Sequence, residues 1–201
     1  MTTDYTHDPG VRLMLAWRAG DEEAFDGLVE AYSGQVFGLL TRFLGHRAGR
    51  EDLVQEVFLR VVRARDRYVP TARFSTWLYR IVFNLAVNET QRSSGDMLSL
   101  DRPRADSDDG GGAMEITDTR MEDPSCAMER DDAVLAVRQA IESLPEKQRL
   151  ALILAKYHDT SYAEIAEVLG SSEKAIKSLI HRARETLREL LAPFLEQGGP
   201  V

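Results

Sequence analysis

Six polar side chains near the C-terminal end, Lys174, Lys177, Ser178, His181, Arg182 and Arg184, recur at helical spacing through a stretch with no acid between Lys174 and Arg184. On a helix this spacing gathers them on one side. Ammonium and guanidinium groups there can hold phosphates, and a hydroxyl or imidazole can reach base edges in a major groove. A solvated face of an amphipathic hairpin has the same pattern. A second cluster lies a hundred residues earlier. Arg73-Phe74-Ser75-Thr76-Trp77-Leu78-Tyr79-Arg80 sets three aromatic rings between cations, and Arg80, Asn84, Asn88 and Gln91 then run along one face of an otherwise apolar segment. Rings can receive unstacked bases, amides can read their edges, and arginines can hold the strand between them. Core packing is the competing reading for each aromatic taken singly.

Chemistry of other kinds finds little support. The four histidines are scattered, and neither a glycine-rich phosphate loop nor a clustered acid and base is present, so no catalytic residue and no cofactor is expected. The single Cys126 excludes an internal disulfide framework and a multi-cysteine zinc site. The run Asp106-Ser107-Asp108-Asp109-Gly110 has the composition of a calcium loop, but Thr117 stands where the closing glutamate would be, and metal binding is discounted. No window offers the roughly 18 apolar residues of a membrane span, and the opening MTTDYTHDPG has no secretory character. A cytoplasmic protein without membrane insertion is expected.

The elements that must carry these clusters are helical. Asp8 and Pro9 open a short helix that ends near Gly20. From Asp21, read as an N-cap, Phe25, Leu28, Val29, Tyr32, Val36, Leu39, Leu40 and Phe43 keep a helical period up to Gly45. A third helix from about Arg50 carries Leu53, Val54, Val57, Phe58, Val61 and Val62 as a broad apolar stripe; Pro70 breaks the chain and a fourth begins near Arg73. A second block opens near Ser125 with Val134, Val137, Ile141 and Leu144 in step. Pro145 starts a helix whose apolar face is Leu150, Ile153, Leu154 and Tyr157. Ser161 caps a short helix bearing Ile165, Ala166 and Leu169, and Gly170-Ser171-Ser172 turns the chain into the longest helix, with Ile176, Leu179, Ile180, Ala183, Leu187, Leu190, Leu191 and Phe194 inside. Ala166, Gly170 and Ile176 have the spacing of a helix-turn-helix: a small residue admits a neighbouring helix, a glycine takes the turn, and a branched residue locks the second helix back.

Charge separates the blocks. The 201 residues carry a net charge of -8, yet residues 1 to 92 hold 12 Arg against 12 acids and residues 133 to 201 hold 9 basic against 9 acidic side chains. Residues 93 to 132 hold 4 Arg against 12 acids, so the imbalance belongs to the connector. The expected class is therefore all-α: a four-helix domain over residues 8-92, a flexible acidic linker over 93-124, and a helix-turn-helix domain over 125-196.

In order and spacing, Ala19-Gly20-Asp21-Glu22-Glu23-Ala24-Phe25, Glu51-Asp52-Leu53-Val54-Gln55-Glu56-Val57-Phe58-Leu59-Arg60, Phe74-Ser75-Thr76-Trp77-Leu78-Tyr79-Arg80-Ile81 and the terminal helix-turn-helix resemble the extracytoplasmic-function (ECF) sigma factors of the sigma-70 family. The resemblance implies regions 2 and 4 of that family, binding of core RNA polymerase, and promoter-specific initiation by an alternative sigma factor of the stress- or envelope-responsive kind. It implies that Asp52, Gln55, Glu56 and Arg60 dock on the clamp helices of the largest polymerase subunit. Arg73, Phe74, Trp77, Arg80, Asn84, Asn88 and Arg92, with the loop of residues 69-73, would meet the single-stranded -10 element, one base flipped into a pocket. Lys174, Lys177, Ser178, His181, Arg182 and Arg184 would meet the -35 duplex. An anti-sigma factor is the further partner implied, and the linker would thread the polymerase's RNA exit path; composition alone fits a spacer equally well. Two departures are visible. Gln91-Arg92-Ser93-Ser94-Gly95 has one cation where many relatives have a run of arginines, and Lys174-Ala175-Ile176 with Ser178-Leu179 replaces the commoner Gly-Thr-Val and Ser-Arg. A stand-alone helix-turn-helix regulator is the competing reading, against which stands the docking motif around Asp52.

Overall fold

The structure, a computed structural model, describes residues 4-45, 49-96 and 124-197. Among them are eight α-helices and one 3-10 turn, and no strand. Helix α1 (Pro9–Arg18) starts as its sequence requires: the Asp8 carboxylate accepts the Val11 N–H at 3.0 Å, and Pro9 occupies the first turn, where no donor is needed. Gly10 brings α1 close to its neighbours. A β-carbon there would lie 2.4 Å from the Tyr32 hydroxyl and 2.7 Å from Phe74 Cβ.

Helix α2 (Glu23–Leu44) begins two residues after Asp21, which makes no side-chain cap; Glu22 holds the N-cap position, also without a capping bond. The Glu22 carboxylate is engaged elsewhere. It accepts from Trp17 Nε1 at 3.1 Å and from Arg65 at 2.9 Å, while the Arg65 guanidinium lies 4.6 Å over the Trp17 ring. The Trp17 bond, and after it Arg65, hold this carboxyl below the usual range. Helix α3 (Arg50–Ala64) runs into the 3-10 turn Arg65–Arg67, and α4 (Phe74–Asp96) closes the first unit. Leu28, Val36, Leu39, Leu40, Val57, Val61, Phe74 and Leu78 form its dry centre. Val62, expected in the α3 stripe, is 41% exposed, because the buried arc is narrower and centres on Val57, Phe58 and Val61.

The second unit comprises α5 (Pro124–Ser143), α6 (Glu146–Tyr157), α7 (Tyr162–Leu169) and α8 (Glu173–Gln197). Leu144, Leu150, Ile153, Leu154, Ile165, Ile176 and Ile180 are buried at its centre. A capping box fixes the start of α7: Ser161 Oγ accepts the Glu164 N–H, and the Glu164 carboxylate accepts the Ser161 N–H at 2.9 Å. Gly170 ends it at φ 58°, ψ 47°, the left-handed conformation that glycine enters without strain. Five residues expected on apolar faces are largely exposed: Val134, Val137, Tyr157, Leu190 and Phe194. The periodicity continues through them although their helices extend beyond the buried core.

Helix α4 runs to Asp96, so residues 93-96 are helical rather than linker, and the remainder of the acidic connector, with Thr117 and the aspartate run, lies outside the described residues. The two units are packed together. Helix α4 meets α7, and α2 meets α5 and α6. Arg149 donates to the Phe43 carbonyl at 2.8 Å, and Thr90 donates to Glu146 at 2.8 Å.

Candidate nucleic-acid and polymerase interfaces

On α8, Ile176, Ile180 and Ala183 are buried, and Lys174, Lys177, Ser178, His181, Arg182 and Arg184 are all exposed. At 100° per residue the six occupy an arc opposite the buried three. The helix-turn-helix therefore presents one polar face, stiffened by the Ser161 box and the Gly170 turn. Two acids just outside the basic segment meet it. Lys177 Nζ lies 2.9 Å from Glu173, and His181 Nε2 lies 3.5 Å from Glu185. Glu185 shares the angular position of Ser178, a feature the acid-free stretch 174-184 concealed.

Helix α4 divides its candidates. Arg80, Asn84, Asn88, Gln91 and Arg92 are exposed. Phe74 is fully buried, 4.9 Å from the Tyr32 ring and 5.5 Å from Trp77, and is removed from the strand-contacting set: it is a core residue at the junction of α1, α2 and α4. Trp77 is half-buried and stands edge-on to Tyr68 at 5.0 Å. Ahead of the helix, Val69 is 63% exposed while its neighbour Tyr68 is buried, and the Tyr68 carbonyl accepts from Arg18 at 2.7 Å. The loop thus holds its base firmly and offers an apolar tip. Arg73 reaches Glu164 of α7 at 3.2 Å, and Arg80 donates to the Glu167 carbonyl at 2.9 Å.

On α3, Asp52 and Gln55 are exposed and unencumbered by core packing. Glu56 is bonded to Arg60 at 3.0 Å and to Arg63 at 3.3 Å. The Arg60 bond, reinforced by Arg63, holds its carboxyl below the usual range. Leu59, 49% exposed, continues the face of Asp52 and Gln55 at i+7 and i+4, and Val62 extends it. Sequence reasoning did not single out Leu59 for this face and assigned Val62 to the apolar stripe; the signal for their exposure was an apolar residue displaced from the arc of Val57, Phe58 and Val61.

A tight helix-turn-helix with a basic outer face, tied to a helical unit with an amide-lined face, defines a two-domain DNA-binding protein. Comparison with known proteins gives it a family. The profile described as Sigma-70 region 2 matches residues 28-94, and that described as Sigma-70, region 4 matches residues 135-187. RNA polymerase sigma-H factor of Pseudomonas aeruginosa is 33% identical over 96% of this chain and 98% of its own length. ECF RNA polymerase sigma factor SigW of Bacillus subtilis is 32% identical over 87% of this chain and 92% of its own. The solved complex of the sigma factor RpoE with the anti-sigma factor NepR from Bartonella quintana contains a chain of the same fold, with TM-score 0.62 and 21% identity over 84% of this chain and 96% of that one. The chain belongs to the ECF sigma factors of the sigma-70 family. It is a promoter-directing alternative sigma factor, a transcription initiation factor; a stand-alone regulator is not favoured. No helix among the described residues is long and apolar enough to cross a membrane.

Proposed function

We propose that the three exposed faces divide the work of initiation. The α3 face of Asp52, Gln55, Glu56 and Arg60, with Leu59 and Val62, docks on the clamp helices of the largest polymerase subunit. An apolar patch rimmed by acids and an amide suits a polar helical partner, because the patch supplies burial and the rim fixes register. Asn84 and Asn88 read the nontemplate strand of the -10 element, and Arg73, Arg80 and Arg92 hold its phosphates. Val69 and Trp77 border the place where an unstacked base would sit. Lys174, Lys177, Arg182 and Arg184 hold the -35 duplex by its phosphates, while Ser178 and His181 reach base edges.

The protein works in the cytoplasm, where polymerase is, catalyses no bond change, and is restrained by an anti-sigma factor. The observation that supports this reading most is the segregation of side chains on α4 and α8: every amide and cation assigned to DNA is exposed, while the residues these helices bury are apolar apart from Thr76 and the Tyr79 hydroxyl of α4. Replacing Gln55 and Glu56 together with Ala tests the docking face. Retention of core polymerase by the tagged variant should fall at least tenfold with circular dichroism unchanged; undiminished retention would remove the α3 face from the interface.

A further inference from the structure

Two of the polar contacts between the units fall on arginines assigned above to single-stranded DNA. Glu164 places a carboxylate on Arg73 at 3.2 Å, and the Glu167 carbonyl, in the last turn of α7, accepts from Arg80 at 2.9 Å. A carboxylate and the negative end of a helix are what an arginine finds in place of a phosphate. A further contact between the same units is more deeply buried. Tyr79, 3% exposed on α4, has its hydroxyl 2.9 Å from Gln35 Oε1 and 3.1 Å from His158 Nδ1, with the rings edge-on at 5.2 Å. The imidazole is held in place by its backbone. The His158 N–H donates to the Leu154 carbonyl at 3.2 Å, and Asp159 follows at φ 45° to turn the chain into α7.

Hydrogen-bond geometry sets the protonation of this pair. The Gln35 amide nitrogen faces the Ala31 carbonyl, so Oε1 is turned to Tyr79 and accepts its single proton. The Tyr79 oxygen then accepts from His158 Nδ1–H, which leaves Nε2 bare. Nε2 is buried and has no hydrogen-bond partner among the described residues. A second proton on the ring would place an N–H donor there without an acceptor.

We propose that α7 covers the nucleic-acid face of α4 in a closed, self-masking state of this chain, and that protonation of His158 opens it. Covering rests on the strand-reading role given to Arg73 and Arg80; the proton dependence does not. The charged and titratable groups around the ring act in one direction on balance. Burial, then the Arg42 guanidinium of α2, which lies 4.6 Å over the neighbouring Tyr157 ring, hold the imidazole below its ordinary value, and Asp159 opposes them in part. Burial above all, with Tyr32 and Glu164, pushes the Tyr79 phenol up to about 12, so it remains a donor. Closure is therefore complete above the open-state imidazole value of about 6.5 and is lost as pH falls below it, at most about tenfold per pH unit until the closed-state value is reached.

The test uses the full chain with Cys126→Ser and donor and acceptor dyes at Glu30→Cys and Glu189→Cys, both exposed. Energy transfer should be high at pH 7.5 and fall between pH 6.5 and 5.5, with the closing constant dropping up to about tenfold per unit. His158→Phe keeps a ring in place and should abolish the acid step, while Arg80→Ala should lower transfer at every pH. A transfer efficiency flat with pH, or an acid step that survives His158→Phe, would overturn the latch. Binding of a fluorescent single-stranded -10 oligonucleotide at the same pH values separates the two readings: opening without any gain in oligonucleotide binding would leave the latch standing and remove Arg73 and Arg80 from the strand-reading face.

Discussion

Lys177 and His181 stand four residues apart on the same helix face, but their chemistry assigns them different work. An ammonium is a point charge suited to phosphate, and an imidazole can donate to or accept from a base edge. Lys174→Ala and Lys177→Ala should weaken -35 binding about equally for all sequences, each flattening the dependence of log affinity on log salt by about 0.9. His181→Ala should instead relax preference at one base pair, by about 1–3 kcal/mol; selection from a duplex library with both proteins measures it, and identical preferences would leave readout to Ser178 and Arg182. Phe74 and Asn84 make the corresponding pair on α4. Phe74→Ala should cost about 3–5 kcal/mol in urea unfolding through the cavity it leaves, whereas Asn84→Ala should stay within about 0.5 kcal/mol and impair -10 use. If Phe74→Ala unfolds like the native protein yet fails on the -10 element, its placement in the core is wrong.

At the scale of elements, local signals were readable where a side chain acts on its own backbone. Asp8 before Pro9, Ser161 before Glu164, and Gly170 each terminate a helix through bonds spanning three to five residues, and sequence located all three. Asp21 shows the limit: its neighbour Glu22 is drawn to Trp17 and Arg65, the latter 43 residues away, and the helix starts later without a side-chain cap. Periodicity likewise found every long helix but not where burial stops, since Leu190 and Phe194 keep the period after the neighbouring core has ended and Val62 lies just outside a narrow buried arc. The α7 turn offers a measurement. A β-carbon at Gly170 would meet nothing within 4 Å, so Gly170→Ala should cost only the conformational penalty of about 1–2 kcal/mol. Ser161→Ala should cost about 1 kcal/mol, and both should lower -35 affinity through a loosened helix-turn-helix. Thermal unfolding compares them with Gly170→Asn, which should fall between wild type and Gly170→Ala.

For the molecule as a whole, sequence conveyed two helical units and the acidic segment between them, and the motifs conveyed the family. How the units meet was not legible. Tyr79 and His158 are 79 residues apart, Arg80 and Glu167 are 87 apart, and Arg149 reaches a backbone carbonyl 106 residues away. None of these polar contacts leaves a periodic trace. The division of surfaces nonetheless follows from composition within each helix: apolar residues bind the units internally, and cations and amides remain outside. In the proposed division of labour these outer groups act together when a polymerase and a promoter are both present. Run-off transcription with purified core RNA polymerase over a promoter library tests that claim most directly. The account predicts transcripts only when this protein is added, from templates sharing two separated elements, and their loss when Gln55 and Glu56 are replaced. Retention of DNA by the protein alone, with no transcript above the level of core polymerase, would contradict it.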